Sequence, residues 1–295
     1  MKRVLIVGSG DVACRAIPWL AKRFEVFALT RSSDASESLR SLGARPMIAD
    51  LDDRGSLRRL AGIADIVLHF APPPRNGSCD TRTQHLLACL ASRESLPQRI
   101  VYISTTGVYG DCGGDLVTET RPCRPHTGRA RRRVDAERRL RRFGVRNRVR
   151  VSILRAPGIY AGDRLPIERL RRADPILRID EDVYTNHIHA EDLARLACIA
   201  MFRARPGRIY NAVDESGMKM GDYFEFAADA LGVPRPPRMS RVDLSQRISP
   251  MALSFMSESR RIASRRLRSE LRVELRYPTV RDGFAAALNQ QGESA

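Results

Sequence analysis

The chain opens with the stretch that decides its expected fold, Arg3-Val4-Leu5-Ile6-Val7-Gly8-Ser9-Gly10-Asp11-Val12-Ala13. Its apolar run predicts a buried parallel strand, and a helical pattern over about residues 11–22 follows the glycine turn. A G-x-G-x-x-A turn between a strand and a helix is typical of dinucleotide binding. Gly8 allows the tight turn, Gly10 lets the backbone approach a pyrophosphate, and Ala13 lets helix and strand pack closely.

We therefore predict that this turn binds a dinucleotide. The phosphates would lie at the N-terminus of the helix, where unpaired N–H groups and the helix dipole favour an anion. The predicted cofactor-binding residues of the turn are Gly8, Ser9, Gly10, Asp11, Val12 and Ala13. The alternative is a glycine turn without a ligand, and the strand–turn–helix context favours the dinucleotide.

Apolar strands alternate with helices along most of the chain, which predicts a parallel sheet covered on both faces. Further strands are expected at about 25–29, 46–49, 66–70, 99–103, 149–154 and 209–212. Helices are expected near 53–61, 80–92, 127–143, 220–231 and 258–271. Asp34 and Glu37 fit a capping box that opens another helix, which would end at Gly43.

We interpret the fold class as α/β, a Rossmann-type doubly wound parallel sheet with a smaller C-terminal region on the substrate side. The dinucleotide-binding domain is expected to comprise residues 1–155 and 184–213. The smaller region is expected to comprise residues 156–183 and 214–295. A chain of 295 residues is long enough for both.

Charge and cysteine content limit the classes of function. The chain holds 51 Lys and Arg residues and a net charge of +17, yet the arginines spread from residue 3 to residue 281. A general arginine bias accounts for this better than a nucleic-acid surface, so nucleic acid is not the expected partner. Six scattered cysteines without a Cys-x-x-Cys favour a reducing cytoplasm and no metal site. The apolar runs are too short to span a membrane.

The residues after the second strand indicate which dinucleotide is bound. An NAD site usually has an acidic side chain there, which accepts a hydrogen bond from the ribose 2′-hydroxyl. This chain instead has Leu29-Thr30-Arg31-Ser32-Ser33, and Arg31 can pair with a 2′-phosphate. We therefore expect NADP(H) to be preferred over NAD(H). The alternative is that Arg31 is one more exposed arginine.

Five further stretches carry a family resemblance. They are Asp50-Leu51, His69-Phe70-Ala71, Ser104-Thr105-Thr106-Gly107-Val108-Tyr109-Gly110, Arg155-Ala156-Pro157-Gly158-Ile159-Tyr160 and His187-Ile188-His189-Ala190-Glu191-Asp192-Leu193-Ala194. With them, the chain resembles the extended short-chain dehydrogenase/reductases, the group containing nucleotide-sugar epimerases and dehydratases, and more closely their atypical relatives. The resemblance implies that Asp50 and Leu51 lie by the adenine, that Ala71 lies along the cofactor, and that Thr105 supplies the catalytic hydroxyl. It also places Tyr160 on the substrate side.

The resemblance breaks where that family has its Tyr-x-x-x-Lys pair, because those positions hold Arg129 and Arg133. The family's tyrosine exchanges a proton with a substrate hydroxyl, whereas arginine stays charged at neutral pH. Tyr109 is the first candidate for a replacement acid, and Asp111 and Tyr160 are further candidates. Alternatively, a quinone-like or other activated acceptor takes the hydride and solvent supplies the proton.

Arg129 and Arg133 are spaced to share one helix face. From that face, Arg129 could clamp a phosphate or carboxylate of the substrate. The alternative is a solvated helix surface, because several Arg–Asp and Arg–Glu pairs four residues apart occupy this stretch. The pattern His187-x-His189 superficially suggests a metal, but no further ligands lie nearby, and Asp192 is expected to cap a helix.

The leading hypothesis is an NADP(H)-dependent oxidoreductase related to the epimerases and dehydratases, acting on a small-molecule substrate that can be anionic. Thr105 and Tyr109 are its predicted catalytic residues, and Arg129 and Tyr160 its predicted substrate contacts. The main rival is a non-catalytic regulator that senses NADP(H), and a nucleic-acid-binding protein comes third. A homodimer is left open.

Overall fold

A seven-stranded parallel sheet forms the centre of the protein. The computed structural model describes residues 1–92, 95–248, 253–254 and 256–292. Its strands are β1 (Arg3–Val7), β2 (Glu25–Thr30), β3 (Arg45–Ile48), β4 (Ile66–His69), β5 (Arg99–Thr105), β6 (Leu116–Val117), β7 (Arg150–Ala156), β8 (Gly158–Tyr160), β9 (Ile176–Leu177), β10 (His187–His189), β11 (Ile209–Asn211), β12 (Arg238–Met239) and β13 (Arg261–Ile262). The central sheet has the order β11-β7-β5-β4-β1-β2-β3, and every neighbouring pair in it is parallel. This confirms the predicted Rossmann-type sheet.

Helices cover both faces of this sheet. They are α1 (Asp11–Ala21), α2 (Ser36–Ser41), α3 (Thr81–Leu90), α4 (Gly128–Asn147), α5 (Ile167–Arg171), α6 (Ala190–Arg203), α7 (Met220–Ala230), α8 (Arg241–Ser245), α9 (Arg265–Ser269) and α10 (Val280–Gly292). Successive side chains of a strand point to opposite faces, so β1 contributes to two cores. Val4 and Ile6 pack on the side of α1 and α6, and Leu5 and Val7 pack on the side of α3 and α4.

The connections place the predicted site at one edge of the sheet. Because all seven strands are parallel, their carboxyl ends meet at that edge. The glycine turn follows β1, Arg31 follows β2, and Thr105 ends β5. The strand β1 lies between β2 and β4, where the direction of the chain across the sheet reverses. A ligand in an open α/β sheet binds at such a switch point.

Three two-stranded pairs and a separate core lie beyond the central sheet. The pairs are β8–β10, β9–β12 and β6–β13. The separate core includes Tyr160, Tyr223, Phe224 and Phe284. Because β8 and β10 fall on opposite sides of the predicted domain boundary, the two predicted regions share a sheet, and the boundary itself stays a prediction. Among the described residues, no helix combines the length and apolar character needed to cross a membrane.

Two local predictions are wrong. The expected capping box does not form, because α2 begins one residue later, with Ala35 in place of Asp34 before it, and no described side chain caps it. The helix expected over 258–271 is also absent. Residues 261–262 form β13, which pairs with β6, and only α9 is helical in that stretch. Pairing with a strand far away in sequence overrides the local helical pattern there.

Candidate functional site

The glycine turn after β1 has the open geometry that a dinucleotide diphosphate requires. Gly8 has a φ of +100°, and a Cβ there would lie 2.5 Å from the backbone nitrogen of Ala71. The Ser9 hydroxyl donates to the Leu29 carbonyl at 2.7 Å, which ties the turn to β2. Gly10 precedes α1, is exposed, and has no atom within 4 Å of a built Cβ. The first turn of α1 therefore has room for an anion beside its N–H groups.

The next residues of the turn are Asp11, whose carboxylate forms ion pairs, and Ala13, which packs α1 against the sheet. Asp11 accepts hydrogen bonds from Arg15 Nε at 2.9 Å and from Arg164 Nη1 at 3.2 Å, so its carboxylate is balanced by two cations. Ala13 lies on the buried face of α1. Val12 lines a cavity at the carboxyl edge of the sheet, so this cavity adjoins the turn.

The predicted adenine end lies where β2 and β3 finish. Arg31 is exposed there, Leu51 is buried, and Asp50 Oδ1 accepts from the backbone N–H of Asp52. Arg82 donates two hydrogen bonds to the Asp52 carboxylate, at 2.9 and 2.6 Å. These bonds hold the pKa of Asp52 below its ordinary value, and the Arg31 charge contributes to the shift. The sequence did not point to Arg82.

His69 ends β4, next to the stretch predicted to lie along the cofactor. Its Nε2 lies 2.8 Å from Thr83 Oγ1, which itself donates to Asp80, so Nε2 carries the proton in this contact. The side chain is buried. Burial and, secondarily, the Arg133 charge lower the pKa of His69 to about 3.

Acid should therefore destabilise the fold partly through His69. The unfolded chain binds a proton at this histidine below about pH 6.5, while the folded chain does not, so stability is lost as the pH falls below that value. Between pH 7.5 and pH 5 the expected loss is about 2 kcal/mol. Urea unfolding of His69→Gln, which keeps an N–H donor but does not titrate, should show a pH dependence that is flatter by this amount. An unchanged pH dependence would contradict the assignment.

Thr105, Arg129 and Arg133 meet in one cavity of about 350 Å³. Thr105 ends β5, and its Oγ1 accepts from the backbone N–H of Gly107 at 3.2 Å, so its own O–H remains a donor. Arg129 and Arg133 come from the first two turns of α4, which Thr127 caps by accepting from the backbone N–H of Ala130. The structure thus brings together the predicted hydroxyl and the predicted anion contact.

The two arginines are held differently. Arg133 Nη1 donates to the Ile103 carbonyl at 2.7 Å and to the Tyr102 hydroxyl at 2.9 Å, so its guanidinium is fixed against β5. Arg129 is exposed at the rim of the cavity. Partial desolvation, followed by the Arg133 charge, nevertheless lowers its pKa from the ordinary value. Arg133 therefore belongs to the cavity, and the solvated-surface alternative does not describe it.

Three cavity residues come from segments that the sequence analysis did not connect with the site. Arg260 Nη1 donates to the Gly110 carbonyl at 2.8 Å and to Glu258 Oε2 at 2.6 Å. The Glu258 side chain is only 9% exposed. Tyr184 lines the same cavity, and its backbone N–H donates to Ser259. Glu258 and Arg260 fall within the helix that the sequence predicted near 258–271, so the sequence did not place them at the site.

The predicted roles of Tyr109 and Tyr160 need correction, because neither residue lines the cavity. Tyr109 is 1% exposed, and its hydroxyl donates to Asn211 at 2.7 Å. Tyr160 is 2% exposed, and its hydroxyl donates to the Thr279 carbonyl. Burial raises the pKa of both phenols, so they are weaker acids than usual and lack a path to substrate. Asp111 is also outside the cavity and accepts from the backbone N–H of Ser259.

A buried ion pair supports the floor of the cavity. Arg155 on β7 and Glu137 on α4 are both 2% exposed and lie 2.7 Å apart. Glu137 also accepts from Ser104, which lines the cavity, at 2.7 Å. The Arg155 guanidinium carbon lies 4.6 Å from the centre of the Tyr109 ring. This network joins β5, β7 and α4, the elements that carry Thr105 and the two arginines.

The histidine pair of β10 has structural contacts. His189 Nδ1 accepts from the backbone N–H of Glu191 and caps α6, a role that the sequence analysis gave to Asp192. The Asp192 carboxylate instead accepts from the backbone N–H groups of Arg276 and Tyr277. Across the part of the chain that the structure describes, no cluster of His, Cys, Asp and Glu could hold a metal ion.

Comparison with known proteins defines the class. Residues 5–212 match the NAD dependent epimerase/dehydratase family. This stretch covers more than half of the chain, and the chain therefore belongs to that family. The match includes the glycine turn, Thr105 and the first two turns of α4.

Individual relatives are more distant. Protein YeeZ of Escherichia coli K12 is 26% identical, over 94% of this chain and 97% of that protein. A 4-hydroxy-2-methyl-3-oxo-4-farnesyl-3,4-dihydroquinoline-1-oxide ketoreductase of Stigmatella aurantiaca is 30% identical over 46% of this chain, and the match spans 44% of the ketoreductase.

Solved structures agree on the fold. A functionally unknown conserved protein from Silicibacter pomeroyi superposes with a TM-score of 0.83 at 29% identity, covering 98% of this chain and 99% of that one. UDP-glucose 4-epimerase of Thermotoga maritima, solved with UDP-glucose, superposes with a TM-score of 0.78 at 16% identity over 99% of each chain. At that identity, the second likeness concerns the fold alone.

Proposed function

We propose that the protein is an NADP(H)-dependent oxidoreductase of the atypical short-chain type, acting on a small molecule that can carry an anionic group. The observation that carries this proposal is the meeting of Thr105, Arg129 and Arg133 in a cavity that Val12 also lines. Because the cavity adjoins the glycine turn, one extended cofactor can occupy the turn and reach the cavity. The partial likeness to a quinoline ketoreductase supports reduction of a carbonyl.

The residues present fit a dinucleotide. Gly10 leaves room for the diphosphate, Gly8 lets the turn pass close to Ala71, and Arg31, which is exposed after β2, would pair with a 2′-phosphate. When bound, the nicotinamide supplies or accepts a hydride. The Thr105 hydroxyl would donate a hydrogen bond to the reacting oxygen, and Arg129 would bind an anionic group of the substrate. Tyr109 and Tyr160 would contribute only through packing and hydrogen bonds in the core.

Arg31→Asp should weaken NADPH binding by about tenfold or more, because a hydrogen bond to a charged group contributes about 1.5–3 kcal/mol. NADH affinity should change little, since NADH lacks the 2′-phosphate. Calorimetric titration with both nucleotides measures this. Arg150→Asp is the matched control, because Arg150 is exposed at the amino end of β7, at the opposite edge of the sheet. Equal NADPH and NADH affinity of the unaltered protein would refute the proposed preference.

A non-catalytic NADP(H) sensor is the second candidate, and one observation favours it. The α4 sequence contains neither tyrosine nor lysine, so the usual proton-transfer pair is missing from the helix that should carry it. A panel of ketones, aldehydes and quinones, followed by NADPH absorbance, separates the candidates. Tight NADPH binding without oxidation by any acceptor would favour the sensor.

A further inference from the structure

We propose that the positive charges of Arg129 and Arg133 take the place of a proton donor in this cavity. The substrate is then a conjugated carbonyl, such as a quinone, whose reduced oxygen is released as a stabilised anion. This inference rests on the proposed function and names the substrate class of the same cavity. It starts from the two positions at which this chain departs from the family resemblance.

The cavity offers charge in a fixed place. Arg133 is bound to the Ile103 carbonyl and the Tyr102 hydroxyl, and its guanidinium carbon lies 5.5 Å from the centre of the Tyr102 ring. Ile103 belongs to the strand that ends at Thr105, so the Arg133 guanidinium and the Thr105 hydroxyl share one rigid support. Arg129 lies one helical turn earlier, on the same face of α4. Two guanidinium groups and a hydroxyl donor therefore line the same cavity.

The other proton-bearing groups of the cavity are less suited to protonate a substrate. The Glu258 carboxylate is paired with Arg260 at 2.6 Å. Tyr109 and Tyr160 lie outside the cavity, and their hydroxyls donate hydrogen bonds within the core. Arginine itself stays protonated in proteins. Among the described residues that line the cavity, Tyr184 is the one phenol, and it is the rival that an experiment must exclude.

The chemistry then selects the substrate. A quinone would accept a hydride, two electrons and a proton, from the bound reduced nicotinamide at its far carbonyl oxygen, and that oxygen would become a hydroxyl. The ring π electrons would then rearrange into an aromatic ring, and the π pair of the near C=O would move to its oxygen, which becomes a phenolate beside Thr105, Arg129 and Arg133. An opposite charge nearby lowers the pKa of an acid by about 1–3. A shift at the upper end of this range brings a phenol, with an ordinary pKa of about 10, to about half ionised at neutral pH, whereas it is far too small to ionise a simple alcohol. The proton is added by water after release.

A coloured phenol tests the cavity without turnover. The pKa of 4-nitrophenol is measured by absorbance, free and bound to the protein in the presence of NADP⁺. We expect the pKa of the bound probe to fall by about one, which means that the phenolate binds about ten times more tightly than the phenol. Arg129→Gln should lose most of this difference. Arg131→Gln, exposed on the same helix, should keep it.

A bound probe with an unchanged pKa, or an equal fall in Arg129→Gln, would overturn the proposal. Calorimetry with NADPH on the same preparations separates the claims: absent NADPH binding refutes the proposed function, whereas normal binding with an unshifted probe refutes only the oxyanion site. In turnover, kcat/KM for 1,4-naphthoquinone should exceed that for cyclohexanone by about a hundredfold, and Tyr184→Phe should retain it. Comparable rates with both acceptors, lost in Tyr184→Phe, would identify Tyr184 as a proton donor instead.

Discussion

Glu137→Gln should lower the free energy of unfolding by about 3–5 kcal/mol. The substitution leaves the Arg155 guanidinium, which is 2% exposed, without its counter-charge in a low-dielectric interior. Desolvation alone would lower the pKa of the buried Arg155. The hydrogen bonds and charge of Glu137 outweigh this effect and raise that pKa above its ordinary value, so the two side chains stabilise each other strongly. Ser104 also loses its charged acceptor. Urea unfolding measures the change.

Arg141→Gln is the matched control for this experiment. Arg141 contacts the same carboxylate at 3.4 Å, but its side chain is 38% exposed, and an exposed pair contributes about 0–1 kcal/mol. The double variant Glu137→Met with Arg155→Met should recover most of the stability, because apolar replacement removes both charges at once. A loss below about 1 kcal/mol in Glu137→Gln, equal to that of Arg141→Gln, would show that the burial of this pair has no energetic consequence.

The central sheet was predictable because its signals are local. Buried parallel strands are nearly continuous apolar runs, and β1, β4 and β5 could each be located from a few consecutive residues. Gly8 was equally readable, since a positive φ between a strand and a helix requires glycine. The presence of Thr105 and Arg129 in one site could be predicted in the same way. Thr105 ends β5, and Arg129 lies at the start of the helix that leads back to the sheet.

The remaining cavity wall was not predictable, because it depends on contacts between distant segments. Glu258 and Arg260 reach the cavity only because β13 pairs with β6, and their local pattern indicated a helix. The prediction that Tyr109 faces the cavity is wrong for a geometric reason. Residues 106–109 form a 3₁₀ turn, which directs the ring into the core although Thr105 is four residues away. A short separation along the chain therefore predicts that two residues lie near each other, but it does not predict the direction in which a side chain points.

Gly10→Ala should weaken NADPH binding by about ten- to a hundredfold while leaving the fold nearly unchanged. Gly10 has a φ of −85°, which alanine adopts readily, and a Cβ there meets no protein atom within 4 Å. The stability cost should stay below about 1 kcal/mol, the difference between glycine and alanine before a helix. A methyl group would instead occupy the space through which the backbone approaches the diphosphate, and hydrogen bonds to a charged group contribute about 1.5–3 kcal/mol.

Gly8→Ala is the contrasting variant, because its effect should fall on the fold. A Cβ at Gly8 would lie 2.5 Å from the nitrogen and 2.7 Å from the Cα of Ala71, at a φ of +100°. Both contacts are with backbone, so the expected loss of stability exceeds the roughly 1–3 kcal/mol of backbone strain alone. Thermal unfolding without nucleotide and calorimetry with NADPH resolve the two effects. If Gly10→Ala bound NADPH as tightly as the unaltered protein, the open space at the start of α1 would not be the diphosphate site.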